Sequence, residues 1–173
     1  MNKIIKLFIV LLTVCLIGAC GGGSLTEKTI TVSNVSILGE ANKYIQVVDG
    51  DYILKPIDDK VTIAVKFKLV KTYDGSKGYS LDDVELIPLD NSGVAISDIG
   101  DVTIHPADMK EWSKFNNLLE SEVGSTVMVY FESRHSVQDQ EPQKKIMKKT
   151  TNFKIGADFD DYRRYVPEDD DND

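Results

Sequence analysis

Cysteine is almost missing from this chain. Its two copies, Cys15 and Cys20, both fall within the first twenty residues, so nothing downstream can form a disulfide or give a thiolate to zinc. Histidine is scarce too: His105 and His135 are the only two, too few donors for a transition-metal site without cysteine. No phosphate-binding loop, dinucleotide fingerprint, nucleophile elbow or zinc-binding helix pattern occurs, so the residues point to no cofactor. No apolar run reaches the ~20 residues that a comfortable spanning helix needs. Positive charge is in deficit, 20 basic against 28 acidic residues and a net charge of −8. That balance excludes nucleic acid as a partner and argues against attraction to anionic lipid by net charge.

What is present begins at the N-terminus. Lys3 and Lys6 make a short positive start, and Ile4 to Ile17 is an apolar stretch, broken only by Lys6, Thr13 and Cys15, that closes on Ile17-Gly18-Ala19-Cys20. A positive start, a short apolar segment and small residues at the exit form a secretory signal. The last four residues resemble a lipobox, the signal of bacterial lipoproteins: an aliphatic residue, two small ones and a cysteine. The resemblance implies a diacylglyceryl thioether on Cys20, palmitate among its acyl chains, and cleavage between Ala19 and Cys20. Each buried CH₂ contributes about 0.8 kcal/mol, so two or three chains make a lasting anchor where one does not. Gly21 stands where an aspartate marks inner-membrane retention in some Gram-negative sorting systems, which implies the outer membrane, on its periplasmic or surface face. Losing Lys3 and Lys6 takes the net charge to about −10.

The chain therefore divides into a removed signal (1–19), a lipidated flexible linker containing Gly21-Gly22-Gly23-Ser24 (20–27), one domain (28–156) and an acidic tail (157–173). The tail is expected to be disordered after about Pro167. Within the domain, Val61, Ile63, Val65, Phe67 and Leu69 alternate with Thr62, Ala64, Lys66 and Lys68, the period of a strand with one buried face. Val127, Val129 and Phe131 repeat the pattern in Thr126–Phe131. Ile30 and Val32 share one parity and Val35 and Ile37 the other, which predicts a bulge or a strand that changes sheets near Ser33-Asn34. Asp49-Gly50, between short apolar runs, reads as a hairpin. Val84–Leu89 is expected as a strand ending near Pro88, Tyr73–Ser80 and Arg134–Gln143 as polar loops, and Lys144–Ile155 as a final strand. The single expected helix, Pro106–Glu120, carries Met109, Trp112, Phe115 and Leu119 at helical spacing and stops before Gly124.

Seven or more short strands with turn signals between them predict a mainly β fold, a β-sandwich with one inserted helix. The strand spacing and the Val61–Val70 and Thr126–Phe131 patterns are similar to the immunoglobulin-like, telokin-like domains that often follow bacterial lipoprotein signals. The resemblance implies an immunoglobulin-like β-sandwich without fixed chemistry. The inter-sheet cysteines and strand tryptophan of antibody-type domains are missing, and the one tryptophan, Trp112, falls on the expected helix.

Few residues could carry chemistry. His105, near Asp101 and Asp108, could serve as the base of an envelope hydrolase or simply lead into the helix. His135 sits in a polar stretch. Asp49/Asp51, Asp82/Asp83, Asp90/Asn91 and Asp98/Asp101 make oxygen-rich turns that could bind calcium, yet none follows an EF-hand pattern and aspartate is a common turn residue. Trp112 is expected in the core. Tyr73 and Tyr79, on a glycine-containing loop, are the candidates for exposed ligand contacts. Lys144, Lys145, Lys148 and Lys149 form the one basic cluster, expected on a wet strand face. The leading expectation is a non-enzymatic, lipid-anchored module with a protein or glycan partner. The alternatives are a hydrolase using His105 and a calcium-stabilised subunit of a surface assembly.

Overall fold

The computed structural model describes residues 25–74, 79–100, 102–134 and 140–161. Its organising element is strand β5 (Lys60–Leu69). Val61, Ile63, Val65, Phe67 and Leu69 are each at most 2 % exposed, whereas Lys66 and Lys68 point into water. On one side β5 runs antiparallel to β8 (Thr126–Arg134). On its other side two strands share it end to end. β4 (Gly50–Ile57) covers Lys60–Thr62, and β3 (Ile45–Val47) covers Phe67–Leu69. β1 (Lys28–Val32) flanks β4, and β7 (Thr103–Pro106) flanks β8, giving the order β1-β4-β5-β8-β7 with β3 beside β5.

A second sheet has the order β2-β9-β6, formed by β2 (Ile37–Leu38), β9 (Asn152–Asp161) and β6 (Tyr79–Leu89). The two sheets face each other across one apolar core. Tyr52 of β4 meets Phe153 of β9 edge-on at 5.6 Å between ring centroids. The chain is mainly β, a sandwich, as its alternation predicts. The expected change of sheet is present: β1 ends at Val32, Asn34 turns with φ 53°, and β2 joins the opposite layer.

Helix α1 (Met109–Leu119) starts later than expected, because Pro106 still pairs with Phe131 as the last residue of β7. Asp108 is its N-cap, its Oδ1 accepting from Glu111 N at 2.9 Å. The helix packs Phe115 against Phe67 (4.8 Å) and Phe131 (6.5 Å), which closes one flank of the core. Trp112 is half-buried against the core, but Met109, expected in the same stripe, is 79 % exposed.

Three expectations need correction. Asp49-Gly50 is not a hairpin turn, since β3 pairs with β5 rather than with β4; the hairpin is β4–β5, turned by Asp58-Asp59. The segment expected to open the final strand is instead a second helix, α2 (Glu141–Lys149), with Pro142 in its first turn. Gln143, Ile146 and Met147 form its buried face. Gln143 Nε2 donates to the carbonyls of Asp58 (3.1 Å) and Lys60 (2.8 Å), so α2 clamps the hairpin turn. Finally, β9 runs past the expected domain limit at 156 to Asp161, because Tyr79–Asp82 of β6 pair with Asp158–Asp161.

Two substitutions test this packing by urea unfolding. Phe67→Ala is expected to cost about 3–5 kcal/mol through the cavity it leaves. Gln143→Ala, which leaves two part-buried carbonyls without their donor, is expected to cost about 1–2 kcal/mol, while its neighbour Lys144→Ala stays within about 0.5 kcal/mol. Equal effects at 143 and 144 would contradict the helix.

Candidate functional site: an exposed apolar face

Because β5 turns its apolar parity inward, the opposite parity of β4, β5 and β8 forms the outer face of the large sheet. Residues there should be polar, yet four are not. Ile53 is 42 % exposed, Ile57 50 %, Met128 41 % and Tyr130 54 %. Ala64 lies between them, in register with Tyr130. The four surround a half-open trough of about 560 Å³, with Lys55 and Glu132 among its polar lining residues. The trough has a backbone cause. β4 leaves β5 after the Lys55–Thr62 pair, and β3 takes over only at Phe67. Across that fork the Tyr52 hydroxyl donates to Val48 O. Burial pushes the Tyr52 hydroxyl's pKa up.

A carboxylate fixes the far wall. Glu111 of α1 is 8 % exposed, and its Oε2 accepts from Tyr130 N at 2.8 Å. β7 is already turning into the helix at this level: Ala107 N donates to Tyr130 O at 2.8 Å. Glu111 thus supplies the acceptor for the neighbouring Tyr130 N–H. Its charge is met by Lys114 Nζ, 2.7 and 2.6 Å from the two carboxylate oxygens. Lys114 also donates to Met128 O at 3.0 Å and lies 5.2 Å from the centre of the Tyr130 ring. The backbone at Tyr130 and Met128 is therefore held by one ion pair.

The residues singled out in the sequence lie elsewhere. Cys20 and His135 fall outside the described residues. Tyr73 is not a free loop contact. It is half-buried, stacked on Phe159 at 5.2 Å and edge-on to Tyr44 at 5.1 Å, because β9 extends far enough to bring Phe159 there. Tyr79 is the first residue of β6, in register with Asp161.

His105 Nδ1 lies 3.0 Å from Val84 O. A carbonyl only accepts, so the ring carries its proton on Nδ1. A register shift between Asp82 and Glu85 of β6 leaves Val84 out of the β9 ladder, and His105 of β7 uses its carbonyl to join the two sheets. Of the expected carboxylate neighbours, Asp108 caps α1 and Asp101 lies outside the described residues. The register instead sets His105 opposite Glu132, which pairs with Lys60 at 3.0 Å.

Asp49, Asp51 and Asp90 of the acidic turns have protein partners. Asp49 Oδ1 accepts from Asn34 N at 2.7 Å, Asp51 accepts from the Thr31 hydroxyl, and Asp90 Oδ1 accepts from Ser92 N at 2.8 Å and Val94 N at 3.0 Å. Among the described residues no three His, Cys, Asp or Glu side chains gather to hold a metal ion. The lysine cluster is on α2, not on a strand. Lys149 Nζ reaches Asp98 Oδ2 at 2.8 Å and Lys145 Nζ reaches it at 3.8 Å. The hydrogen bond from Lys149, with its charge and that of Lys145, holds the Asp98 carboxyl below the usual carboxylate range. Among the described residues no helix is long and apolar enough to cross a membrane.

Two outcomes follow. Glu111→Ala, which leaves Lys114 and the Tyr130 N–H without their acceptor, is expected to destabilise the domain by about 2–4 kcal/mol; Glu111→Gln, which keeps an acceptor oxygen, is expected to cost less. In an NMR titration Lys149→Ala is expected to move the Asp98 pKa upward, towards the ordinary value of about 3.9; an unmoved Asp98 would refute the pairing.

No protein-family model matches this chain, no curated protein is similar to it in sequence, and no solved structure matches its fold.

Proposed function

We propose that this chain is a lipid-anchored lipoprotein of the cell envelope, tethered through acyl chains on Cys20. Its domain works by contact rather than by catalysis, as a binding or structural module for a protein or glycan partner, at the outer membrane in a Gram-negative cell. The observation that carries the contact reading is the exposed apolar face of Ile53, Ile57, Met128 and Tyr130. Contiguous apolar surface of this kind marks interaction sites. The groups best suited to acid–base chemistry support the same reading, since they are tied into the fold. His105 joins the sheets, Asp108 caps a helix, and Glu111 and Glu132 are ion-paired. The Ile17-Gly18-Ala19-Cys20 signal supports the anchor.

Metabolic labelling with radioactive palmitate tests the anchor. Label in the wild type and none in Cys20→Ser, together with release of that variant from the membrane fraction, is the expected result. Label that survives the substitution overturns the assignment. His105→Ala is expected to lower stability by about 1 kcal/mol, as the loss of one seam hydrogen bond does, and to leave partner capture in cells intact.

A further inference from the structure

We infer that the outer face of the large sheet rests on the lipid bilayer to which the chain is tethered, with Ile53, Ile57, Met128 and Tyr130 at the level of the headgroups. This deepens the contact reading of that face, with the bilayer rather than a protein or glycan as what covers it, and rests on the anchored reading.

The tether supplies the first argument. Six residues lie between Cys20 and Glu27, seven Cα-to-Cα steps. Fully extended, that stretch spans at most about 25 Å, so the domain is held within that distance of the bilayer. The leash also enters on the relevant side. Glu27 Oε2 lies 3.7 Å from Lys55 Nζ, and Lys55 lines the trough. Leu25 packs against the core just before it.

Charge supplies the second argument. The chain as a whole is acidic, but a bilayer senses only the charges within a Debye length, about 8 Å at physiological salt. On this face Glu27, Glu111 and Glu132 are each paired with a lysine, which leaves Asp51, accepting from the Thr31 hydroxyl, as the one carboxylate lining the trough without a lysine partner among the described residues. Lys66 and Lys68 are exposed, and neither makes an ion pair among the described residues. Lys66 is in register with Met128. Apolar side chains beside unpaired lysines, with a tyrosine among them, match the interfacial zone of an anionic membrane. There long lysine stems lie along apolar surface and keep the ammonium group in the headgroups. The half-open trough between Ile53 and Tyr130 gives an acyl chain from the bilayer a place to enter.

Nitroxide labels read the orientation in the lipidated full chain, reconstituted into vesicles of mixed phosphatidylethanolamine and phosphatidylglycerol. With Cys20 acylated, Ile57→Cys, Met128→Cys and, as the control in the turn after β6, Asn91→Cys each offer one reactive thiol. Labels at 57 and 128 are expected to collide more with oxygen than with a water-soluble nickel chelate, and the label at 91 to do the reverse. Labels at 57 and 128 that remain in water overturn the inference, as does dipolar coupling between labels on different molecules, which would put a second copy on this face. Mass spectrometry of the same preparation separates the failures. Protein without acyl chains on Cys20 defeats the anchored reading; acylated protein with wet labels defeats this orientation alone.

Discussion

The structure depends on one strand having to bury one of its two faces. β5 places Val61, Ile63, Val65, Phe67 and Leu69 in the core, all at most 2 % exposed. Fully burying one side chain of this size contributes roughly 1.5–3 kcal/mol, so a shift of register by one residue, which would expose all five, is prohibitive. That constraint fixes the outward parity as firmly as the inward one. It also requires three neighbours, because β4 leaves β5 after Thr62 and β3 covers only Phe67–Leu69 on the side away from β8. The fork between those two strands opens the outer trough, so the candidate site is a consequence of how the core strand is paired.

The rest of the molecule closes what the two sheets leave open. Each closure uses a polar bond where a ladder stops. Glu111 accepts the Tyr130 N–H as β7 becomes a helix, and His105 donates to the carbonyl that a bulge leaves outside the β6–β9 ladder. Gln143 takes two carbonyls of the hairpin turn, and the Ser133 hydroxyl accepts from Val61 N at 2.8 Å. Among the described residues every buried side-chain nitrogen or oxygen has a partner. A buried polar group left alone costs about 1–3 kcal/mol, which is why the few titratable groups that resemble catalytic ones are engaged in holding the fold.

Much of this was legible in the sequence, and the failures are physical. β5 alternates so regularly that its faces could be read directly, Val127, Val129 and Phe131 marked the inward parity of β8, and the parity change after Val32 marked the crossing between sheets. The Asp49-Gly50 hairpin misled because turn chemistry is local while β3 pairs with a strand twenty residues further on. Helix α2 was hidden because its buried face is small and includes Gln143, amid lysines that also suit a wet strand. The length of β9 was hidden by its aspartates, although Phe153, Ile155, Ala157 and Phe159 keep an inward period of two. The candidate face did leave a signal: Met128 and Tyr130 make β8 apolar on both parities, and Ile53 and Ile57 fall on the outward parity of β4. A strand with an apolar outer face marks a surface meant to be covered. In the proposed reading, what covers it depends on the tether and on charge, and neither is a property of strand periodicity.

The proposed anchor, the core strand and the exposed face converge on one claim: in the cell, the outer face of the large sheet is not in water. Hydroxyl-radical footprinting of the native envelope, read as side-chain oxidation by mass spectrometry, tests it without naming what does the covering. Met128 and Tyr130 are predicted to oxidise at least about ten times more slowly in the envelope than in detergent-released protein, the factor that ~1.4 kcal/mol of protection gives. Buried Met147 should be slow in both. Equal oxidation of Met128 in the two states would contradict the account.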